Sequence, residues 1–138
     1  MASVLIMAGI KKSFTYAQNP FPGKELKKLV IAIAIYIPNT EKNDKVVAEE
    51  EYKIRINQTQ ELLLGMFGGY TVLGKGKGEF TSKKGNRLND KITRIVSYSS
   101  IDKFNDEKET LYDWLVKKKA EWSQESIAFE FEGDLYFI

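Results

Sequence analysis

Residues 67–80 read FGGYTVLGKGKGEF and hold five of the chain's ten glycines, two lysines and one carboxylate. Glycine beside lysine is the raw material of a phosphate-binding loop. That chemistry needs G-x-x-x-x-G-K-[ST], in which backbone N–H groups and Lys meet the phosphates and a hydroxyl meets magnesium. Gly69 to Gly76 has the spacing and the lysine, but Gly76 stands where the hydroxyl is required. A strand, not a helix, is expected to follow, so no helix N-terminus would face an anion. Dinucleotide binding fails as well, because Gly74, Gly76 and Gly78 are spaced G-x-G-x-G rather than G-x-G-x-x-G. The plain alternative is a bulge or wide turn inside a strand. A backbone that approaches a bound ligand closely is the other. Glu79 ends the glycine run and has reactive potential only if it faces a pocket or an interface. Otherwise it is a solvated carboxylate on an edge strand.

Absences narrow the chemistry further. With no cysteine and no histidine, thiolate and imidazole metal sites, Cys nucleophiles and Ser–His triads are excluded. No metal and no cofactor is expected. Chemistry must run on carboxylates, Tyr, Lys, Ser/Thr or backbone dipoles, or need little proton transfer. The 21 basic against 19 acidic residues leave a net charge of +2, too small to suggest a nucleic-acid partner. The apolar run Leu29–Ile37 is far short of the roughly 20 residues that span a bilayer. The N-terminal MASVLIMAGIKK has its apolar run before its charges, the reverse of a secretory signal. A cytoplasmic protein without a membrane partner is expected.

The elements that would position these residues form one domain, residues 25–138, behind an arm over residues 1–24. In the arm, Val4–Met7 has the composition to pair with a sheet edge, and Asn19–Gly23 reads as a turn. Leu29–Ile37 is a continuous apolar strand stopped by Pro38, expected to be central with both faces covered. Val46–Phe67 reads as a helix with Tyr52, Ile56, Thr59, Leu63 and Phe67 on one stripe, although Tyr52, Ile54 and Ile56 also alternate like a strand. Gly68–Gly69 ends it. Tyr70–Leu73 and Glu79–Ser82 read as strand pieces on either side of the GKGKG interruption. A turn at Lys83–Arg87 leads to a return strand at Lys91–Tyr98. Asp106 with Glu109 has the form of a capping box and opens a helix whose stripe is Leu111, Trp114, Leu115 and Trp122. Lys117–Lys119 complements the dipole at its end. Tyr70, Tyr98, Trp114 and Trp122 could stack a base, but core packing is expected for at least three of them. Ser126–Glu132 alternates as a strand, and Leu135–Ile138 is a last short arm after a Gly133–Asp134 turn. This order is the ferredoxin-like split βαβ pattern, βαββαβ, an α+β fold with an antiparallel sheet and both helices on one face. The fold alone assigns no function.

Glu121-Trp-Ser-Gln-Glu-Ser-Ile-Ala-Phe129 closes a helix with W-x-Q-[ED] and enters an apolar strand. In this it resembles the small bacteriophage S-adenosylmethionine (SAM) lyases, formerly called hydrolases. It is also similar to small bacterial proteins with F-G-G-x-T after the first helix, matched here by Phe67-Gly68-Gly69-Tyr70-Thr71, with Gly78-Glu79-Phe80 in a comparable later place. The resemblance runs over residues 29–131. It implies a ferredoxin-like phage subunit of anti-restriction type, assembled as a trimer with SAM bound near subunit interfaces. It further implies Glu79 as the catalytic glutamate, with Tyr70 and Gly78 on the substrate side. In that reaction the substrate's own carboxylate attacks its γ-carbon, giving homoserine lactone and methylthioadenosine. The protein's task is then to fold the substrate and exclude water, which needs neither His nor Cys. A non-catalytic oligomeric module binding a small ligand or partner protein is the competing reading. A single-strand nucleic-acid binder is a third, and it lacks an aromatic and basic stripe on one strand pair.

Overall fold

The computed structural model describes residues 19–81 and 87–138, with side chains described outside residues 74–90. The strand expected at Val4–Met7 and most of the turn expected at Lys83–Arg87 lie outside the described residues. Seven main elements follow in order: β1 (Ile31–Pro38), α1 (Glu49–Phe67), β2 (Thr71–Thr81), β3 (Arg87–Ser99), α2 (Ile101–Glu121), β4 (Ala128–Phe131) and β5 (Asp134–Phe137). They build one antiparallel sheet in the order β2-β3-β1-β4-β5. The first four strands have the ferredoxin-like arrangement, and β5 extends it by a hairpin.

Alternation within β1 sorts its side chains into two environments. Ile33, Ile35 and Ile37 point to the helices and are buried with Ile95, Ile127 and Phe129 of the sheet. Tyr52, Leu63 and Met66 of α1 and Leu111 and Leu115 of α2 close over them. Ala32, Ala34 and Tyr36 face the other way, where the sheet carries no helix among the described residues. The middle of β1 is nonetheless buried on both faces, as expected, with Ala34 only 1% exposed on the side away from the helices. β1 is central, but Ile lines the covered face and mostly Ala the open one.

α1 begins at Glu49 rather than Val46, and Val46 instead bridges to Thr40 in a short antiparallel contact. Its buried stripe is Tyr52, Arg55, Thr59, Leu63 and Met66. Helical period wins over the Tyr52–Ile54–Ile56 alternation because Ile54 is left exposed. Gly68 stops the helix in a left-handed conformation (φ 86°), donating its N–H to the Leu64 carbonyl at 2.9 Å. α2 starts five residues before the expected capping box. Ser100 is the N-cap, its hydroxyl accepting the Lys103 N–H at 3.1 Å, so Asp106 and Glu109 lie inside the helix. Lys118 is not a free surface charge. It is 8% exposed, lies 5.5 Å from the Trp114 ring centroid and reaches Glu121 Oε1 at 2.9 Å. That contact holds the Glu121 carboxyl below its ordinary pKa.

The two pieces on either side of the glycine run are joined in one strand, β2. Its register shifts between Val72 and Lys75, after which Gly76 and Gly78 pair regularly with Ile92 and Asp90. The bulge expected within the strand thus falls at Leu73–Gly74, where the GKGKG run begins. No helix of the described residues is long and apolar enough to cross a membrane.

Candidate functional site

Two places in this frame bring chemistry-bearing residues into view. The first is the β2–β3 hairpin that carries the residues singled out from sequence. β1 ends at Pro38, opposite Ile92, whereas β2 and β3 remain paired from Lys77↔Lys91 to Thr81↔Arg87. The four pairs beyond Lys77↔Lys91 make a two-stranded ribbon that overhangs the sheet by about 13 Å at ~3.3 Å per residue. No third strand flanks it among the described residues. Gly78 and Glu79 occupy successive positions on the ribbon, opposite Asp90 and Asn89. Tyr70 stands just before β2 at the other end, 40% exposed. Nine residues of extended chain separate Tyr70 from Glu79, roughly 25–30 Å. The fold of a single chain therefore does not bring them together.

Side-chain groups fix the root of the ribbon. The buried Asn39 donates its backbone N–H to the Lys91 carbonyl at 3.1 Å, and its Oδ1 accepts the Lys91 N–H at 3.1 Å. Asn39 thus continues the β1–β3 ladder by one step after Pro38. Arg55, 1% exposed, holds the same turn from behind. Its guanidinium donates to the carbonyls of Pro38 at 2.8 Å, Thr40 at 3.0 Å and Trp122 at 3.3 Å. It also pairs with Glu51 at 3.2 Å and lies 5.5 Å from the Trp122 ring centroid. Gln124 donates to the Thr40 and Trp122 carbonyls beside it. One buried cation thereby joins the exit of β1, α1 and the end of α2.

The second place is the open face of the sheet. Arg94 on β3 and Glu130 on β4 flank β1 from either side and meet across it, Nη2 to Oε2 at 3.0 Å. Tyr36 donates its hydroxyl to Glu130 Oε1 at 2.7 Å and accepts from Arg94 Nε at 3.1 Å. Arg94 lies opposite Tyr36, and Glu130 lies opposite Ala34. Their bridge crosses β1 beside Ala34, which is only 1% exposed on a face that carries no helix among the described residues. The bond from Arg94 lowers the Glu130 pKa. Burial, followed by the hydrogen bond to Glu130, raises that of Tyr36. Arg94 is held more firmly protonated, chiefly by its hydrogen bond to Glu130. Each charge is neutralised within the cluster, which makes it a brace across three strands. Sequence reading missed it, although Ile alternating with Ala and then Tyr in IAIAIYI marks an open strand face.

Of the four aromatic residues considered for stacking, only Trp122 is buried and Trp114 half-buried. Tyr70 and Tyr98 are 40% and 52% exposed, so core packing claims two of the four, not three. Among the described residues, no group of three or more acidic side chains is placed to hold a metal ion.

With this geometry in hand, two solved structures are similar in fold. One is a phage SAM lyase in complex with S-methyl-5'-thioadenosine, at a TM-score of 0.59 and 16% identity. The other is a phage SAM lyase in the apo state, at 0.56 and 16% identity. Each likeness covers 83% of this chain and 95% of the other. No protein-family model matches the chain, and no curated protein matches it. The α+β, ferredoxin-like architecture is thus that of the phage SAM lyases.

Proposed function

We propose that this protein is a SAM lyase that cleaves its substrate to homoserine lactone and methylthioadenosine. The observation that carries the reading is the likeness in fold, over 83% of the chain, to a phage SAM lyase in complex with S-methyl-5'-thioadenosine. In the proposed reaction the SAM carboxylate forms a C–O bond to its own γ-carbon. The C–S bond breaks with its electron pair passing to sulfur, so the sulfonium leaves as a neutral thioether. No proton is transferred and no water is consumed. The protein contributes a folded, dry substrate conformation and charge placed against the cation.

Glu79 is the proposed group against the cationic substrate. Gly78 beside it allows close backbone approach, and the aromatic face of Tyr70 attracts the sulfonium. Since these residues lie roughly 25–30 Å apart along β2, a working site takes Glu79 from one copy and Tyr70 from another. The reading therefore includes a homo-oligomer, a trimer, with SAM at each junction. The overhanging ribbon supports this, because a two-stranded hairpin is marginal on its own and gains order by docking. A cytoplasmic location, where SAM is available, completes the proposal.

Incubation of the purified protein with SAM is expected to release methylthioadenosine and homoserine lactone. The Glu79→Gln variant should lose on the order of 100-fold or more, as removal of one transition-state electrostatic contact does. No turnover by the unaltered protein, or full turnover by the variant, would sink the proposal. Binding of SAM without turnover would favour a non-catalytic sequestering module.

A further inference from the structure

The two edges of the sheet are built differently. β2, at one edge, reads TVLGKGKGEFT, with three glycines, two lysines and a register shift. Lysines and bulges of this kind discourage pairing with another strand. β5, at the other edge, reads DLYF and has no lysine, proline or bulge. Its Leu135, Tyr136 and Phe137 are 51%, 50% and 69% exposed, so large apolar side chains stand open on both faces of an edge strand.

The free backbone groups follow from the ladder. Ile127 and Ile138 exchange both N–H···O bonds, at 3.0 and 2.9 Å. Bonded pairs alternate in an antiparallel ladder, so Tyr136 and Asp134 turn inward to β4. Leu135 and Phe137 turn their N–H and C=O groups outward, where no described residue meets them.

We infer that the β5 edge takes the β5 edge of a second copy in antiparallel register about a two-fold axis centred on Tyr136. In that register Leu135 of each copy exchanges two backbone hydrogen bonds with Phe137 of the other. The edge's open donors and acceptors are then satisfied, and the two apolar side chains lie against each other. Tyr136 faces its own symmetry mate on the helix side. No acidic side chain of β5 opposes another, since Asp134 falls opposite Ile138. The strands bury on the order of 400 Å² per copy, roughly 800 Å² together, below the ~1,200 Å² of a stable stand-alone complex. The contact is thus weak and concentration-dependent, and it acts between copies in addition to any assembly that builds a SAM site. It does not depend on the proposed lyase activity.

The absence of cysteine makes a direct test available. Tyr136→Cys puts one thiol at the centre of the two-fold. There the Cα atoms of a non-hydrogen-bonded pair lie ~4.5 Å apart, within disulfide range. Mild oxidation at micromolar protein is expected to convert most of this variant to a covalent dimer. Asp113→Cys, exposed on α2, should remain largely a monomeric thiol. Adding Leu135→Lys to Tyr136→Cys should abolish the cross-link while leaving the thermal melt and the helical circular-dichroism signal intact. If Tyr136→Cys stays reduced like the α2 control, or if Leu135→Lys leaves cross-linking unchanged, the two-fold pairing is wrong. The edge is then free or belongs to a different strand.

Discussion

At the residue scale, the Tyr36–Arg94–Glu130 brace predicts how stability varies with pH. Glu130 has a lowered pKa, so its stabilisation is present above the ordinary carboxylate range and is lost as pH falls through the lowered value. Glu130→Gln should cost about 1 kcal/mol near neutral pH, discounted for a pair that remains partly solvated. The gap to the unaltered protein should close below about pH 4 in denaturant titrations. Tyr36 has a raised pKa, so its contribution is intact below about pH 10 and is lost as the solution becomes more alkaline. Tyr36→Phe should flatten that alkaline limb. Ala34 lies beside the bridge and is buried. Ala34→Leu should therefore part Arg94 from Glu130 and cost roughly 1–3 kcal/mol by overpacking. None of these three partners was singled out from sequence. A brace across three strands depends on register, which lone polar residues in three separated segments do not reveal.

At the scale of elements, side chains continue the sheet where its backbone stops. Asn39 extends the β1–β3 ladder to Lys91. At the other end of β1, Glu132 Oε2 accepts the Ala32 N–H at 2.5 Å, and its own N–H donates to the Ala32 carbonyl at 2.9 Å. That pairing accounts for a non-glycine residue at φ 52° in the β4–β5 turn, where Asn or Gly is usual. Asn39→Ala should speed amide exchange at Lys91 and along the ribbon, at a cost of about 1–2 kcal/mol. Arg55→Met removes one cation from three carbonyls and should cost about 3–5 kcal/mol, read as a lower thermal midpoint. Arg55→Lys should not restore it, because an ammonium lacks the planar fork that reaches all three. The strand–helix order, the glycine stop after α1 and the Ile127–Phe129–Phe131 face were legible from period and turn chemistry. The start of α2 was not, because Ser100 caps it with Lys103, and not Glu or Gln, at the capping-box position. Arg55 was passed over because a charged residue on an apolar stripe is assigned to solvent unless the carbonyls that it meets are known.

At the scale of the whole molecule, the fold is that of phage SAM lyases, and the placement of the sequence-derived site residues shapes the functional proposal. Tyr70, Gly78 and Glu79 are proposed from sequence alone. Their separation was not legible there, because it follows from β2 being one unbroken strand that runs past the end of the sheet. In the proposed assembly, a catalytic junction draws its glutamate and its tyrosine from different copies. The most direct measurement is methylthioadenosine formation from SAM by a mixture of two variants, Glu79→Gln and Tyr70→Ala, unfolded and refolded together. Each variant alone is expected to be nearly inactive while the unaltered protein turns over. The mixture should regain a substantial fraction of activity, because some junctions then pair an intact Glu79 with an intact Tyr70. A mixture that assembles and stays as inactive as its components would contradict a site shared between copies. Absence of methylthioadenosine from the unaltered protein would contradict the lyase itself.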